Sequence, residues 1–297
     1  MGKFDRKTFE HFTDQIAKAA VDSLQHQIPV TAEWGITDAG ELLGSRMEEN
    51  PKLSIPLKAI RFKKSDEAMV AQMVFFAAHP TIFSADNLYF SADFPGELTK
   101  LLENENPNST ALFINGAAGD LKPSGPYSES KEERIHLYGK ALKDKINEIN
   151  FKPLDLDGKW EVLSDEVMLP PVKIRLGRFT IPSVIGNCIF DRKVLFQTLQ
   201  LNESVFMMLP AEVSSSLGRQ MEDVAKNHGY IPFFVGYAND YAGYVISRNY
   251  YRDRHQYEAR ASFYGENLDF FVLDKIIHMI GSLKNEPPGD SFSKGGE

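Results

Sequence analysis

Four strongly apolar runs, each ending in a loop that carries a distinctive polar group, constrain this 297-residue chain more than any other feature. Met69 to Ala78 delivers His79. Ala111 to Ile114 opens into the small-residue loop Asn115-Gly116-Ala117-Ala118-Gly119-Asp120. Val205 to Leu209 passes through Pro210-Ala211 to Glu212, and Ile231 to Val235 enters a loop dense in tyrosine. Near-continuous apolar runs of this length suit strands covered on both faces. Such strands need other layers around them, which predicts an α/β fold with a mixed β-sheet core flanked by helices.

The flanking pattern agrees. Phe9, Phe12, Ile16, Ala20 and Leu24 recur at helical spacing between a capping Asp5 and Pro29, and predict a helix with one buried face. Ile135, Tyr138, Leu142, Ile146 and Ile149 predict a second helix, and Leu268, Phe271, Ile276, Ile280 and Leu283 a last one; a further helix is expected after Glu212, to about Asn227. Ala59 to Phe62 and Met69 to Ala78 read as a hairpin, and Trp160 to Leu169 and Val172 to Leu176 as further strands. Residues 35 to 55 are punctuated by Gly, Asn and Pro and read as loop. No internal repeat or linker divides the chain, so residues 1–285 read as a single catalytic-type domain, and the Pro/Gly/Ser-rich residues 286–297 as a disordered tail.

Composition removes several function classes. A formal net charge of −8 with no Lys/Arg cluster argues against a nucleic-acid partner. The single cysteine, Cys188, rules out an intramolecular disulfide and a Cys-based zinc site, and its apolar surroundings predict a buried, inert thiol. No apolar run approaches the roughly 18 residues of a membrane span, and Met1 to Arg6 is polar, so neither a transmembrane segment nor a signal peptide is expected in the chain as written. The oligomeric state is not legible.

Each polar group alone has an ordinary reading. His79 is a hydrogen-bonded structural histidine or a ligand, Glu212 a first-turn helix acid or a ligand, and the tyrosines packing with wet edges or a site wall. In Gly236-Tyr237-Ala238-Asn239-Asp240-Tyr241-Ala242-Gly243-Tyr244, however, phenols sit beside Asn-Asp and glycine, which suits a loop presenting ring hydroxyls. Active sites gather where strands end in such loops. His79, Glu212 and the tyrosine loop together read as the walls of a metal pocket. Asp120 either orients a neighbour or caps its turn, and its glycine-rich loop is not a phosphate loop, because Lys122 lacks the following Ser or Thr.

Four segments carry a family resemblance. They are Ala78-His79-Pro80-Thr81 with Asn87 and Ser91-Ala92-Asp93-Phe94-Pro95-Gly96; Asn115 through Gly119-Asp120-Leu121-Lys122-Pro123; Leu209-Pro210-Ala211-Glu212; and Gly236 to Tyr244 with Gln256-Tyr257-Glu258 and Ser262. In this order they resemble the catalytic domain of the neutral/alkaline, non-lysosomal ceramidases, from about residue 8 to 283. The resemblance implies Zn2+ held by His79, Glu212 and Tyr244. It also implies that Tyr257, with Tyr251 as the neighbouring rival, hydrogen-bonds the developing oxyanion. Arg46 either matches a family arginine near the substrate head group or is a surface arginine.

Two departures stand out. The family's Thr-His-x-His segment, upstream of the first helix, has no match here; His11 and His26 lie on that helix, and the chain reads as N-terminally incomplete. The family's nucleophile-loop serine is replaced by Lys122, an electrostatic clamp for a carboxylate, phosphate or oxyanion, or else a surface lysine, with Ser124 as a displaced nucleophile. The family's separate C-terminal β-domain has no counterpart either. The function implied is zinc-dependent hydrolysis of an amide bond in a small-molecule or lipid-like substrate, such as an N-acyl lipid or a polar molecule recognised by Lys122. The alternative is a degenerate, non-catalytic member that binds a ligand or partner. The family is typically exported or membrane-associated.

Overall fold

The structure, a computed structural model, describes residues 4–47, 54–176, 179–253 and 255–283. The tail expected at 286–297 lies outside these residues. In chain order, the first half holds helix α1 (Arg6–Gln25), strands β1 (Thr31–Asp38) and β2 (Leu43–Ser45), the hairpin β3 (Pro56–Lys63) and β4 (Met69–Phe76), helix α2 (Asp93–Glu105), strands β5 (Thr110–Asn115) and β6 (Leu121–Pro123), helix α3 (Lys131–Asn147) and strand β7 (Lys152–Leu154). The second half holds β8 (Trp160–Met168), the short pair β9 (Arg175–Leu176) and β10 (Phe179–Thr180), the turn α4 (Ser183–Gly186), β11 (Lys193–Leu201), β12 (Ser204–Met208), β13 (Glu212–Val213), α5 (Ser215–Asn227), β14 (Ile231–Val235), β15 (Tyr244–Val245), the short α6 (Arg248–Tyr251) and α7 (Tyr257–Arg260), and α8 (Leu268–Ser282).

The strands form two main mixed sheets. One runs β5-β4-β3-β1-β7, the other β14-β12-β11-β8. Each contains one parallel pair, β4 with β5 and β12 with β14, and is otherwise antiparallel. Side chains alternate across each strand. Phe75 and Ile60 of the first sheet therefore meet Phe206 and Phe233 of the second in a layer between the sheets. Phe233 touches Trp34, Phe75 and Phe206 there, with ring centroids 4.8–6.1 Å apart. The opposite faces carry helices: Val74 and Phe76 pack with Leu98 of α2 and Leu142 of α3, and Val205 and Met207 with Met221 of α5 and Ile276 of α8. The mixed-sheet, helix-flanked class expected from the sequence is present, with its sheet split in two.

Four local expectations need correction. The segment read as loop, residues 35 to 55, holds the second half of β1, an interior strand, and all of β2: Gly35 interrupts the β1 pattern, but a Cβ there would meet Ile149 Cγ2 at 2.1 Å, so the glycine serves the close approach of the chain leaving α3. Between Val172 and Leu176 only Arg175–Leu176 is strand. Helix α1 forms as expected, with Asp5 accepting from the Thr8 amide at 2.8 Å, but none of its residues is buried; Phe9, Phe12, Ile16 and Leu24 are exposed. Cys188 is likewise exposed, on the surface turn that follows α4. No helix among the described residues is long and apolar enough to cross a membrane.

Candidate functional site

The two parallel pairs point their carboxyl ends to the same side of the molecule. From β4 the chain reaches His79; from β5, Asp120; from β12, Glu212; from β14, the tyrosine loop. Backbone bonds tie these exits together. The Gly236 amide donates to the Asn115 carbonyl at 2.9 Å, and the Gly119 amide to the Val213 carbonyl at 2.8 Å. A Cβ on Gly119 would meet the Glu212 carbonyl oxygen at 2.7 Å, so glycine is what lets the two loops touch.

Local pairing aims the side chains. β13 and β15 are parallel, with Glu212 directly beside Tyr244, which places both side chains on one face. His79 is buried; its Nδ1 lies 3.0 Å from the Leu121 carbonyl oxygen and must donate to it, since a carbonyl only accepts. Its Nε2 then faces the Glu212 Oε2 at 2.6 Å. The Tyr244 and Tyr237 hydroxyl oxygens lie 3.2 and 3.3 Å from the same Nε2. Tyr237 also donates to Glu212 Oε2 at 3.1 Å, and Tyr241 donates to Oε1.

An imidazole nitrogen and a carboxylate oxygen this close require positive charge between them, a proton or a metal ion. Burial pushes the Glu212 carboxyl up, but bonds from His79, Tyr241 and Tyr244 outweigh it and hold it below the usual carboxylate range. Burial, reinforced by the Glu212 charge, pushes the Tyr237, Tyr241 and Tyr244 phenols far above theirs. Two zinc bonds at a tetrahedral angle set donor atoms about 3.3 Å apart. The two phenol oxygens already stand at 3.2 and 3.3 Å from Nε2, while the carboxylate oxygen at 2.6 Å would withdraw by roughly 0.7 Å. The donor set of imidazole, carboxylate and phenol fits zinc with that small adjustment. Among the described residues, no three His, Cys, Asp or Glu side chains group around a metal position.

The remaining candidates divide. Tyr257 is 58% exposed at the rim and sets its ring edge-on to Tyr244, with centroids 5.7 Å apart. Tyr251 is buried, with the Arg175 guanidinium 3.5 Å from its ring centroid. Asp120 is buried and spent on α5: its carboxylate accepts from the Ser215 amide at 2.5 Å and hydroxyl at 2.8 Å. Arg46 is not a free surface arginine. It stands 3.7 Å from the buried Glu258 carboxylate and acts electrostatically on Tyr237 and Tyr244. Lys122 lies exposed on β6, opposite Gly44. Ser124 is half-buried beside the same glycine.

Tyr237 and Tyr241 were not singled out within the tyrosine loop. Tyr241 is identified by its bond to Glu212, and Tyr237 also by its backbone. Tyr237 has φ +58° and Asn239 φ +68°, a left-handed conformation unusual for a bulky side chain and typical of strain held at a site. Asp240 anchors the same loop by accepting from the Leu195 amide of β11 at 2.8 Å.

Two solved structures share this architecture. A ceramidase complexed with C2 superposes with a TM-score of 0.79 at 16% identity, covering 93% of this chain and 57% of that one. The neutral ceramidase from Pseudomonas aeruginosa gives 0.77 at 17% identity, covering 95% and 57%. The chain thus has the neutral ceramidase fold over a little more than half the length of those proteins. No protein-family model and no curated protein matches the sequence.

Proposed function

We propose that this chain is a zinc-dependent hydrolase of an amide bond, acting on an N-acylated amine. The observation that carries this reading is the convergence of the His79 imidazole, the Glu212 carboxylate and the Tyr237 and Tyr244 hydroxyls where both parallel pairs end. The ceramidase fold of the chain supports it. Zinc bound by His79, Glu212 and Tyr244 would lower the pKa of a coordinated water and polarise an acyl carbonyl.

The chain's own groups supply the rest. The Leu121 carbonyl fixes the His79 tautomer and leaves Nε2 for the site. Tyr241 orients the Glu212 carboxylate from its far oxygen. Tyr257, at the open rim beside Tyr244, is the phenol free to donate to an oxyanion on an incoming carbonyl; Tyr251, buried under Arg175, is not.

Metal analysis after dialysis against zinc, coupled to an assay of N-acyl amide hydrolysis, tests this reading. About one zinc per chain is expected, lost in His79→Ala and Glu212→Ala together with amide hydrolysis. A protein that takes up no metal at near-stoichiometric supply overturns it. That result would favour the second reading, a non-catalytic binding protein, which draws on the 2.6 Å His79–Glu212 contact, a spacing suited to a shared proton.

A further inference from the structure

We infer that the substrate is an N-acylated amine bearing a carboxylate on its amine side, an N-acyl amino acid being the simplest case, with Lys122 as the residue that selects it. This rests on the hydrolase reading above and sharpens it. β2 and β6 form a two-stranded antiparallel ribbon in which Gly44 faces Lys122 and Ser45 faces Leu121, and the Arg46 amide continues the ladder to the Asp120 carbonyl at 2.7 Å. Side chains of directly opposed residues share a face, so Lys122 and Arg46 belong to the same face of the ribbon while Leu121 is buried on the other. Gly44 offers no side chain opposite the lysine, and the lysine stem lies across it: a Cβ there would meet Lys122 Cε at 3.5 Å.

The two cations differ in what neutralises them. Arg46 has Glu258 at 3.7 Å and reaches electrostatically to the Tyr237 and Tyr244 hydroxyls. Lys122 has no ion pair or hydrogen bond among the described residues, and the nearest acid on its own strand end, Asp120, is committed to Ser215. Among the described residues, the uncompensated charge of this face is therefore the lysine. It lies two residues from Asp120 and the Arg46 pairing, about 7 Å along the ribbon. The residue before it, Leu121, holds His79 Nδ1 through its carbonyl at 3.0 Å, so the lysine stands beside the site, a place that suits an anionic group a few bonds from the scissile amide rather than the oxyanion itself. A carboxylate on the carbon next to the amide nitrogen meets this requirement, and a neutral amino alcohol does not. Hydrolysis of such a substrate breaks the acyl C–N bond, gives the oxygen of water to the acyl carbon and a proton to the departing amine, and needs no oxidant or reductant.

A matched pair tests the assignment: N-octanoylglycine and N-octanoylethanolamine, which differ in a carboxylate against a hydroxymethyl group. Binding to the protein held metal-free by chelator is measured by calorimetry, and kcat/KM is measured on the zinc-loaded protein. The native chain is expected to bind the glycine conjugate at least about tenfold more tightly, the scale of one charge-assisted contact. Lys122→Gln should erase that ratio, with the loss appearing in KM rather than kcat, and Lys122→Arg should keep most of it. Equal affinities, no detectable binding of either compound, or a preference that survives Lys122→Gln overturns the inference. A binding preference without turnover of either compound removes the hydrolase reading and leaves the anion contact standing; turnover of both without preference does the reverse.

Discussion

Asp120 and Glu212 are two buried carboxylates at equivalent places, each just beyond a strand of a parallel pair, yet their surroundings differ in kind. Asp120 accepts from the backbone amide and the hydroxyl of one residue, Ser215, and thereby ties its loop to the start of α5. Among the described residues, Glu212 has no backbone donor to its side chain. An imidazole and two phenols meet it, the first from the loop after β4 and the others from the tyrosine loop after β14. A carboxylate spent on a backbone amide is a fastening. One surrounded by side chains that share a single point is available to a cation. Burial alone does not separate the two.

The largest expected effect is on the Glu212 side. Glu212→Ala should weaken zinc binding by at least about 100-fold in competition titrations with a chromophoric chelator, while costing little stability in the metal-free protein. Asp120→Ala should do the opposite: a loss of about 2 kcal/mol in urea unfolding, because the Ser215 amide loses its acceptor, with zinc affinity nearly unchanged. If both variants lost stability and metal alike, the distinction between fastening and ligand would fail. Tyr241→Phe removes only the bond to the far oxygen of Glu212, and a drop of about tenfold in zinc affinity is expected. Smallest is Tyr237→Asn. Asparagine tolerates the left-handed backbone at φ +58°, so metal-free stability should rise by about 1 kcal/mol on unfolding, while zinc affinity falls through loss of the phenol.

Much of this was legible in the sequence because apolar runs and the polar groups that follow them report directly on strand ends. His79, Glu212 and Tyr244 meet within hydrogen-bonding distance although 165 positions separate the outer two. The class of fold followed from the same runs. The missed parts have physical causes. β1 hides behind Gly35, whose role is close approach of the chain after α3 rather than a turn. α2 starts at Asp93 with φ +50° and carries Pro95 in its first turn, so its opening looks like loop. The face of α1 was expected to be buried because amphipathic spacing reports which residues would pack, not whether a partner layer is present. The spacing of the phenols could not say which of them turn inward, since that depends on a left-handed backbone at Tyr237.

The aromatic filling between the sheets has a consequence for the site above it. His79 leaves the first sheet and Glu212 the second, so the gap that any shared cation must bridge is gauged by the thickness of the Trp34, Phe75, Phe206 and Phe233 stack. Those rings act as a shim beneath a clamp. Planing one of them down, as in Phe233→Leu, would reset the opening of jaws that it never touches.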